Sequence, residues 1–211
     1  MARRACCRQY SCDCGAKMAH ATAVLLSNAV IPSLETKRLW LRPLTVGDAD
    51  QIQAHFPHWK IVRLMSGIPW PYPPDGALTW CRDRALPQMK QGEAWHWTLR
   101  LKEAPEQVIG AISLMTADNN NRGFWVGLPW QRRGFATEAA EAVTGYWFDV
   151  LKFAVLRVPK AVANLASRRI SEKQQMRIIA IEERDHVSGR LLDEIWEITA
   201  DEWHARRRVA T

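Results

Sequence analysis

A strand, a short basic turn and a helix follow one another in the middle of the chain and constrain its fold more than any other stretch. The apolar run 123–126 predicts a buried strand, and apolar residues from Ala136 onward recur at the 3.6-residue period of one helix face. Backbone N–H groups at a helix start have no intrahelical partner, and the helix dipole adds positive charge there. Because Gly134 allows a ligand to approach the backbone closely, the turn 131–136 predicts a pyrophosphate-binding loop.

The spacing within this turn resembles that of a known family. The pattern Q-x-x-G-x-A over residues 131–136 resembles the acyl-CoA pyrophosphate loop of the GNAT superfamily of N-acetyltransferases. The pair at 138–139 and the triplet at 123–125 are similar to the branch that acetylates ribosomal-protein N-termini. The resemblance implies an α/β (α+β) fold with a twisted, mostly antiparallel central sheet. Helices flank this sheet, and it splays at the central strand, where the thioester enters.

The resemblance divides the chain into three predicted parts. Residues 1–33 are predicted to be a disordered N-terminal extension, 34–204 the acetyltransferase domain and 205–211 a basic, solvated tail. At 211 residues and 47% hydrophobic composition, the chain can bury one sizeable core. Four of its five cysteines precede residue 15, but none of them has zinc-site spacing, so we expect no metal or disulfide site there. The sequence is compatible with a translation start at Met1 or at Met18.

The charge of the chain favours an anionic partner. A formal net charge of +7 suits nucleic acid, a membrane surface or a polyphosphate cofactor. No apolar run is long enough to span a membrane, and no nucleic-acid recognition motif accompanies the eleven tryptophans. We therefore predict neither a membrane nor a direct nucleic-acid partner. The lack of a disulfide framework predicts a cytoplasmic protein, and a monomer and a homodimer both fit.

Periodicity and breaker residues predict the other elements. A strand over 34–44 is expected at a sheet edge, because Pro43 cannot donate a ladder hydrogen bond. Thr45 is expected to cap a helix that ends at Pro57, and Asp75 to cap another after the irregular stretch 66–76. The remaining predictions are a hairpin (95–101 and 108–114), the central strand (122–127), a helix to about Lys152, a strand (155–158) ended by Pro159, a helix (164–173) and a closing hairpin (176–183 and 192–198).

A second motif lies on the predicted helix 164–173. The pattern N-x-x-S followed by a Glu-Lys pair resembles the second cofactor motif of the family. The glycine that usually follows is missing from Gln174-Gln175-Met176, which should weaken a left-handed helix cap. The resemblance implies that Asn164 reaches the pantetheine arm of acetyl-CoA. It also implies that Ser167, one turn later on the same face, protonates the leaving thiolate.

The predicted cofactor site is built around the turn. We expect the amides from 132 to 136 to bind the pyrophosphate, with the side chains of Gln131, Arg132 and Arg133 in support. The resemblance implies that the strand edge at 125–126 pairs with the pantetheine amides. The predicted cofactor-binding residues are Trp125, Val126, Gln131, Arg132, Arg133, Gly134, Phe135, Ala136, Thr137 and Asn164, with acetyl-CoA as cosubstrate and no metal.

The general base is less clearly predicted. Many relatives carry Glu where this chain has Asn121, and an amide cannot accept a proton from an ammonium group. The alternatives are Asp118, His96, Glu93 or a water held by residues 120–121. The predicted catalytic residues are Ser167, Asn121 and Asp118. An α-amine has a pKa of about 7.7–8.0 against about 10.4 for lysine, so a weak base favours an acceptor of low pKa.

Two hypotheses about function follow. The first is an N-acetyltransferase that transfers the acetyl group of acetyl-CoA to an amine by direct attack in a ternary complex. Its acceptor would be a protein N-terminus or a small-molecule amine. The second is a non-catalytic acyl-CoA-binding module, which the missing Glu and the missing glycine keep open. Release of CoA in the presence of amines distinguishes the two.

Overall fold

The computed structural model describes residues 30–209, and these residues form two antiparallel sheets covered by helices. The predicted extension and its cysteines lie outside the described residues, except for 30–33. The larger sheet has the strand order β1-β2-β3-β4-β5, and the smaller has the order β6-β8-β7. The strands are β1 Leu34–Glu35, β2 Leu39–Pro43, β3 Ala94–Leu101, β4 Gly110–Met115, β5 Arg122–Val126, β6 Val155–Ala161, β7 Arg177–His186 and β8 Gly189–Thr199.

Helices cover both faces of the larger sheet. They are α1 Ala49–His55, α2 Trp59–Val62, α3 Gly76–Trp80, α4 Leu86–Gln91, α5 Phe135–Gly145, α6 Leu165–Lys173 and α7 Ala200–Val209. A π-helical turn, Cys81–Ala85, joins α3 to α4, and another, Tyr146–Val150, extends α5. Within residues 30–209, no helix combines the length and the apolar character needed to cross a membrane.

Strand β3 shows why the larger sheet is a middle layer. Trp97 and Leu99 are fully buried in the main core, together with Val143 and Trp147 from the α5 side. On the other face, His96 makes an edge-to-face contact with Trp80, at 5.3 Å between ring centroids. All eight residues of β3 are buried, because helices pack on both of its faces.

The two sheets meet beside β5. Asn121 N–H donates to the Arg157 carbonyl and Arg157 N–H donates to Asn121 Oδ1, both at 2.7 Å. Beyond this contact the strands separate into different sheets, which is the predicted splay. Asn121 O accepts from Met115 N–H, and Gly127 N–H donates to Ile109 O, so alternation assigns the odd-numbered residues of β5 to the ladder with β4. The backbone groups of Phe124 and Val126 therefore point to the open edge.

Pro159 does not end the strand before it, contrary to the sequence prediction. Strand β6 continues through Pro159 to Ala161. Ala200 N–H donates to Ala154 O and Val162 N–H donates to Leu192 O, so the even-numbered residues of β6 form the ladder with β8. Pro159 thus faces the splay, where no ladder partner exists for an N–H group. The proline is tolerated because it lies on an open edge.

Two further predictions differ from the structure. Strand β2 is not at the sheet edge, because the two-residue strand β1 pairs outside it. The basic run near the end of the chain belongs to α7 and is not a loose tail. Arg206 pairs with Glu141 on α5, and Arg207 pairs with Asp149 at 2.9 Å. Helix α7 therefore continues past residue 204.

Candidate active site

The turn before α5 has the geometry of a ligand cradle. Arg132 has φ 61° and Gly134 has φ 83°, so two residues adopt the left-handed conformation. Gly134 is also the N-cap of α5. Within residues 30–209, the backbone N–H groups of 132–136 form no hydrogen bond with another backbone group. Unpaired donors at a positive helix end are suited to an anion such as pyrophosphate.

The three side chains predicted to support the cofactor, Gln131, Arg132 and Arg133, differ in their contacts. Gln131 Nε2 donates to the Val126 carbonyl at 2.9 Å, so Gln131 fixes the entry to the turn. Arg133 lies 5.1 Å from the centre of the Phe135 ring. Arg132 and Arg133 are exposed and form no ion pair with any described residue, so their charges can meet phosphates. Phe135 itself is buried, at 3% exposure, and anchors the start of α5.

Arg38 braces this turn from outside, a role that no sequence pattern indicated. Its Nη1 donates to the Arg133 carbonyl at 2.9 Å, and its Nε pairs with Glu138 Oε2 at 2.7 Å. Thr36 Oγ1 donates to the other Glu138 oxygen at 2.6 Å. Burial raises the pKa of the Glu138 carboxyl, but these hydrogen bonds and the Arg38 charge outweigh it and leave the pKa below its usual value. The β1–β2 turn is thereby tied to the first turn of α5.

The predicted residues on α6 lie together on one face of the helix. Asn164 is the N-cap, and its Oδ1 accepts from Ser167 N–H at 3.2 Å. Ser167 is buried, at 9% exposure, and its Oγ accepts from Lys160 Nζ at 3.0 Å. Lys160 lies on β6 and its Nζ is 5.9 Å from the centre of the Phe124 ring on β5. Ser167 and Lys160 therefore stand at the mouth of the splay, between the two separating strands.

The glycine missing after α6 is replaced without loss of the cap. Gln175 takes φ 56°, the left-handed conformation that glycine usually supplies. Gln175 N–H donates to Glu172 O at 2.9 Å and Met176 N–H donates to Ser171 O at 3.0 Å. These are the two hydrogen bonds of a Schellman cap. The weakening expected from the sequence appears as backbone strain at Gln175 and not as an altered helix end.

The predicted candidate bases differ in how far their side chains are engaged with other groups. Asn121 Nδ2 donates to the carbonyls of Met115 (3.1 Å) and Ala117 (2.9 Å), and its Oδ1 accepts from Arg157, so its amide is fully engaged. Asp118 is exposed in the same loop and forms no side-chain hydrogen bond with a described residue. The geometry gives Asn121 a clear structural part at the branch of the sheets, and the catalytic roles of Asn121 and Asp118 stay predictions.

His96 is buried against Trp80, on the face of the sheet opposite the main core. Its Nδ1 lies 2.6 Å from Ser113 Oγ, and its Nε2 is buried without a hydrogen-bond partner among the described residues. Burial, helped by the Arg84 charge, lowers the pKa of His96 to about 4. A neutral imidazole of such low basicity, closed off from solvent, is a poor proton acceptor. Glu93 is exposed at the start of β3.

A second contact ties the smaller sheet to the helical segment that packs on the larger one. Val187 N–H donates to Met65 O at 2.9 Å and Ser188 N–H donates to Arg63 O at 3.0 Å, so the tip of the β7–β8 hairpin is held by the segment after α2. Trp70 is 43% exposed and packs on Trp59 at 5.5 Å between ring centroids. Two contacts therefore bound the gap between β5 and β6. One is the Asn121–Arg157 contact, and the other is the contact of the hairpin tip with residues 63–65.

The sequence of the loop, the open strand edge and the second motif match one family. A family model described as an acetyltransferase (GNAT) domain matches residues 38–177, more than half of the 211-residue chain. The chain belongs to the GNAT acetyltransferase family. It is therefore an acyltransferase, and the predicted family is confirmed. None of the curated protein sequences is a significant match.

Solved structures of this family share the fold. The ribosomal-protein-S5-alanine acetyltransferase of Vibrio fischeri has a TM-score of 0.70 at 13% identity, over 82% of this chain and 98% of that one. The GNAT-family acetyltransferase of Bacillus anthracis gives 0.67 at 16% identity, over 81% and 99%. RimL, a ribosomal L7/L12 α-N-protein acetyltransferase in complex with coenzyme A, gives 0.66 at 14% identity, over 82% and 99%. At these identities the likeness shows the fold, and the predicted fold class is confirmed.

The structure brings most of the predicted site residues around the splay, with one difference in detail. Trp125 belongs to the β4 ladder through its backbone, and its ring packs on Phe56 at 5.3 Å between centroids. Phe124 and Val126 hold the open edge instead. No local pattern pointed to Arg38 or Lys160, because each acts through a partner on another element of the fold. The described residues contain no cluster of three or more potential metal ligands.

Proposed function

We propose that this chain transfers the acetyl group of acetyl-CoA to an amine by direct attack in a ternary complex. The acceptor is an α-amine at a protein N-terminus or a small-molecule amine of similar pKa. The observation that carries the proposal is the open edge of β5 beside the left-handed turn at Arg132 and Gly134. One element binds the pyrophosphate, and the other offers backbone partners for the pantetheine arm.

The cofactor fits the residues present. The amides of 132–136, with Arg132 and Arg133 beside them, hold the phosphates. Backbone groups of Phe124 and Val126 pair with the pantetheine amides and direct the thioester into the gap between the sheets. Bound there, acetyl-CoA supplies the activated acyl group, and the chain supplies its orientation.

Ser167 is the acid in this proposal. Its N–H is held by Asn164, and its Oγ accepts from Lys160, so the serine hydroxyl proton is free to be donated. It stands at the mouth of the splay, where the sulfur of a cofactor running along β5 would lie. Protonation of the departing thiolate by Ser167 is a general-acid step.

Several observations support an acceptor of low pKa. Asn121 is bound to three backbone groups, and His96 is buried, with a pKa of about 4. Neither is suited to strip a proton from an ammonium group. Near pH 7.5 an appreciable fraction of an α-amine is already neutral, whereas lysine would need roughly three pKa units of help, about 4 kcal/mol. Asp118 or a water at the exposed loop 118–120 is sufficient for the remaining proton.

A matched pair of peptides tests the acceptor. One peptide has a free α-amine and no lysine, and the other has an acetylated N-terminus and one internal lysine. CoA release is followed with a thiol reagent, and the product is located by mass spectrometry. We expect the α-amine peptide to be acetylated at least tenfold faster at pH 7.5. Faster acetylation of the lysine peptide would contradict the choice of acceptor.

The alternative is a non-catalytic acyl-CoA-binding module, favoured by the engaged amide at Asn121, where many relatives have Glu. It predicts acetyl-CoA binding without CoA release for any amine, including a polyamine and an aminoglycoside. In that case neither the wild type nor Ser167→Ala would release CoA when amines are added. Release of CoA that depends on both amine and Ser167 would exclude the module.

A further inference from the structure

Lys160 is a buried lysine whose one side-chain hydrogen bond within residues 30–209 is to Ser167. It is 5% exposed on β6, and within residues 30–209 it forms no ion pair. A charged lysine without a counter-ion is expensive to bury. Its Nζ donates to Ser167 Oγ at 3.0 Å, and the Phe124 ring lies 5.9 Å from Nζ. Lys160 is therefore directed at the mouth of the splay.

The hydrogen bond from Lys160 sets the direction of the serine hydroxyl. An ammonium group has three donors and no acceptor, so Ser167 Oγ must accept from it. Asn164 Oδ1 binds the Ser167 backbone and fixes the position of the residue. The Ser167 proton is then left to point away from Lys160. Without the ammonium group, the hydroxyl would be free to rotate and to donate elsewhere.

The charges around Lys160 are positive or already engaged. Arg122 on β5 is also buried; its Nη1 donates to Thr144 Oγ1 (2.5 Å), while its Nε and Nη2 have no partner among the described residues. Glu194, the cross-strand neighbour of Lys160, accepts instead from Arg168 at 2.8 Å. Burial, and next the Arg122 charge, hold the pKa of Lys160 well below its usual value. An anion that enters this region would reverse that effect and favour the charged lysine.

We propose that Lys160 is a positioning residue that aims the Ser167 hydroxyl at the sulfur of CoA and places positive charge beside the departing thiolate. This proposal rests on the proposed acetyl transfer and deepens it. It gives Lys160 a reason to be buried next to a serine: the charge becomes paired only when the thiolate forms. The ligand recognised is a thiolate anion at the end of the pantetheine arm.

The proton balance of the step is simple. The amine nitrogen attacks the thioester carbon, the C–N bond forms, and the C–S bond breaks with its electron pair going to sulfur. Sulfur takes the Ser167 hydroxyl proton, and Ser167 takes a proton from water, while Lys160 keeps its ammonium charge. The proton lost by the amine passes to water, so that protons balance. The products are the amide and the free thiol.

Binding of CoA, without any acceptor, tests the charge. CoA and desulfo-CoA, which lacks the sulfur, are titrated against the wild type, and the ultraviolet difference spectrum of bound CoA reports thiolate. We expect the wild type to prefer CoA by about tenfold at pH 7.5, which corresponds to a thiol pKa lowered by about two units from about 8.5, and to show a thiolate signal. Lys160→Met should lose both, whereas Lys90→Met, at an exposed lysine on α4, should keep both.

The outcomes separate this inference from the proposed function. Equal wild-type affinity for CoA and desulfo-CoA, with no thiolate signal, would overturn the role of Lys160 and leave acetyl transfer standing. No binding of either ligand would overturn the proposed function itself. Both measurements use the unmodified protein, so they decide the matter even if a Lys160 variant fails to fold.

A double-mutant cycle tests whether Lys160 acts through Ser167. Lys160→Met should lower kcat by about tenfold or more and change KM for acetyl-CoA by less than about threefold. In the Ser167→Ala background, the same substitution should have little further effect, because its partner is gone. Additive losses from the two substitutions, at unchanged melting temperature, would show that Lys160 does not work through the serine.

Discussion

At position 134, in the turn before α5, the effect of an introduced negative charge can be tested separately from the effect of backbone conformation. Gly134 has φ 83°, and a Cβ built there would lie 3.3 Å from Arg38 Nη2. Asn tolerates the left-handed conformation better than most residues, and Asp has nearly the same shape. Gly134→Asn and Gly134→Asp therefore share the strain and the side-chain volume. They differ in one negative charge at the predicted pyrophosphate position.

The magnitude follows from Coulomb's law. A carboxylate about 5 Å from a phosphate charge, at an effective dielectric constant of about 20, is repelled by about 3 kcal/mol. This repulsion corresponds to at least a hundredfold loss of affinity, since about 1.4 kcal/mol is tenfold. Backbone strain of about 1–2 kcal/mol should lower the melting temperature of both variants equally, by a few degrees.

Thermal melting with and without acetyl-CoA is the assay. At a hundred times its dissociation constant, the ligand stabilises the wild type by about 2.7 kcal/mol, which is a shift of about 5–10 °C. When the acetyl-CoA concentration is raised, we expect Gly134→Asn to show most of this shift in melting temperature. At the same concentration, Gly134→Asp should show no shift. If the two variants show the same shift, the cofactor phosphates do not lie against this turn.

Three further perturbations test the structure independently. Gln175→Gly should raise the free energy of unfolding by about 1 kcal/mol in urea denaturation, because φ 56° is strained for glutamine; lower stability would contradict the left-handed cap. Asn121→Ala should lower stability by about 2–4 kcal/mol through three lost hydrogen bonds, and activity only modestly; a loss beyond roughly a thousandfold at unchanged stability would make Asn121 catalytic. His96 has a pKa lowered from 6.5 to about 4, so it is neutral in the folded protein while the unfolded chain takes up its proton as pH falls; stability should decline by about 3 kcal/mol between pH 6.5 and 4. In His96→Gln this decline should be absent from urea melts across the same range, and an unchanged decline would assign it to other groups.

Local sequence signals predicted the elements of this fold well. The period-two pattern gave the β3–β4 hairpin within two residues at each end, and the N-x-x-S motif gave the N-terminus of α6 at Asn164. Thr45 lies at the N-cap of the first helical turn, as expected, and its N–H donates to Asp48 Oδ2 at 2.8 Å. These features depend on residues three or four apart, so the chain carries their cause within a single turn or strand.

The predictions were wrong for residues whose structure depends on partners elsewhere in the fold. Pro159 was predicted to end a strand, but it lies on the one edge of β6 that has no ladder partner. Arg206 and Arg207 were predicted to lie in a solvated tail, but α7 packs them against carboxylates on the α5 side. The neighbouring sequence does not tell whether a strand ends or continues at a proline, or whether an arginine is solvated or paired. The partners that the fold brings to these residues decide it.

By itself, the sequence determined the turn at Gly134, the helix after it and the family, because a glycine at a helix start fixes backbone geometry over a few residues. Only the tertiary structure decided which groups surround the site. It brought Arg38 to the back of the turn and Lys160 to Ser167, and it occupied the amide of Asn121 with backbone partners. The physical reason is range: a backbone conformation is set by neighbouring residues, whereas the charge and protonation of a buried group are set by whatever the fold places beside it.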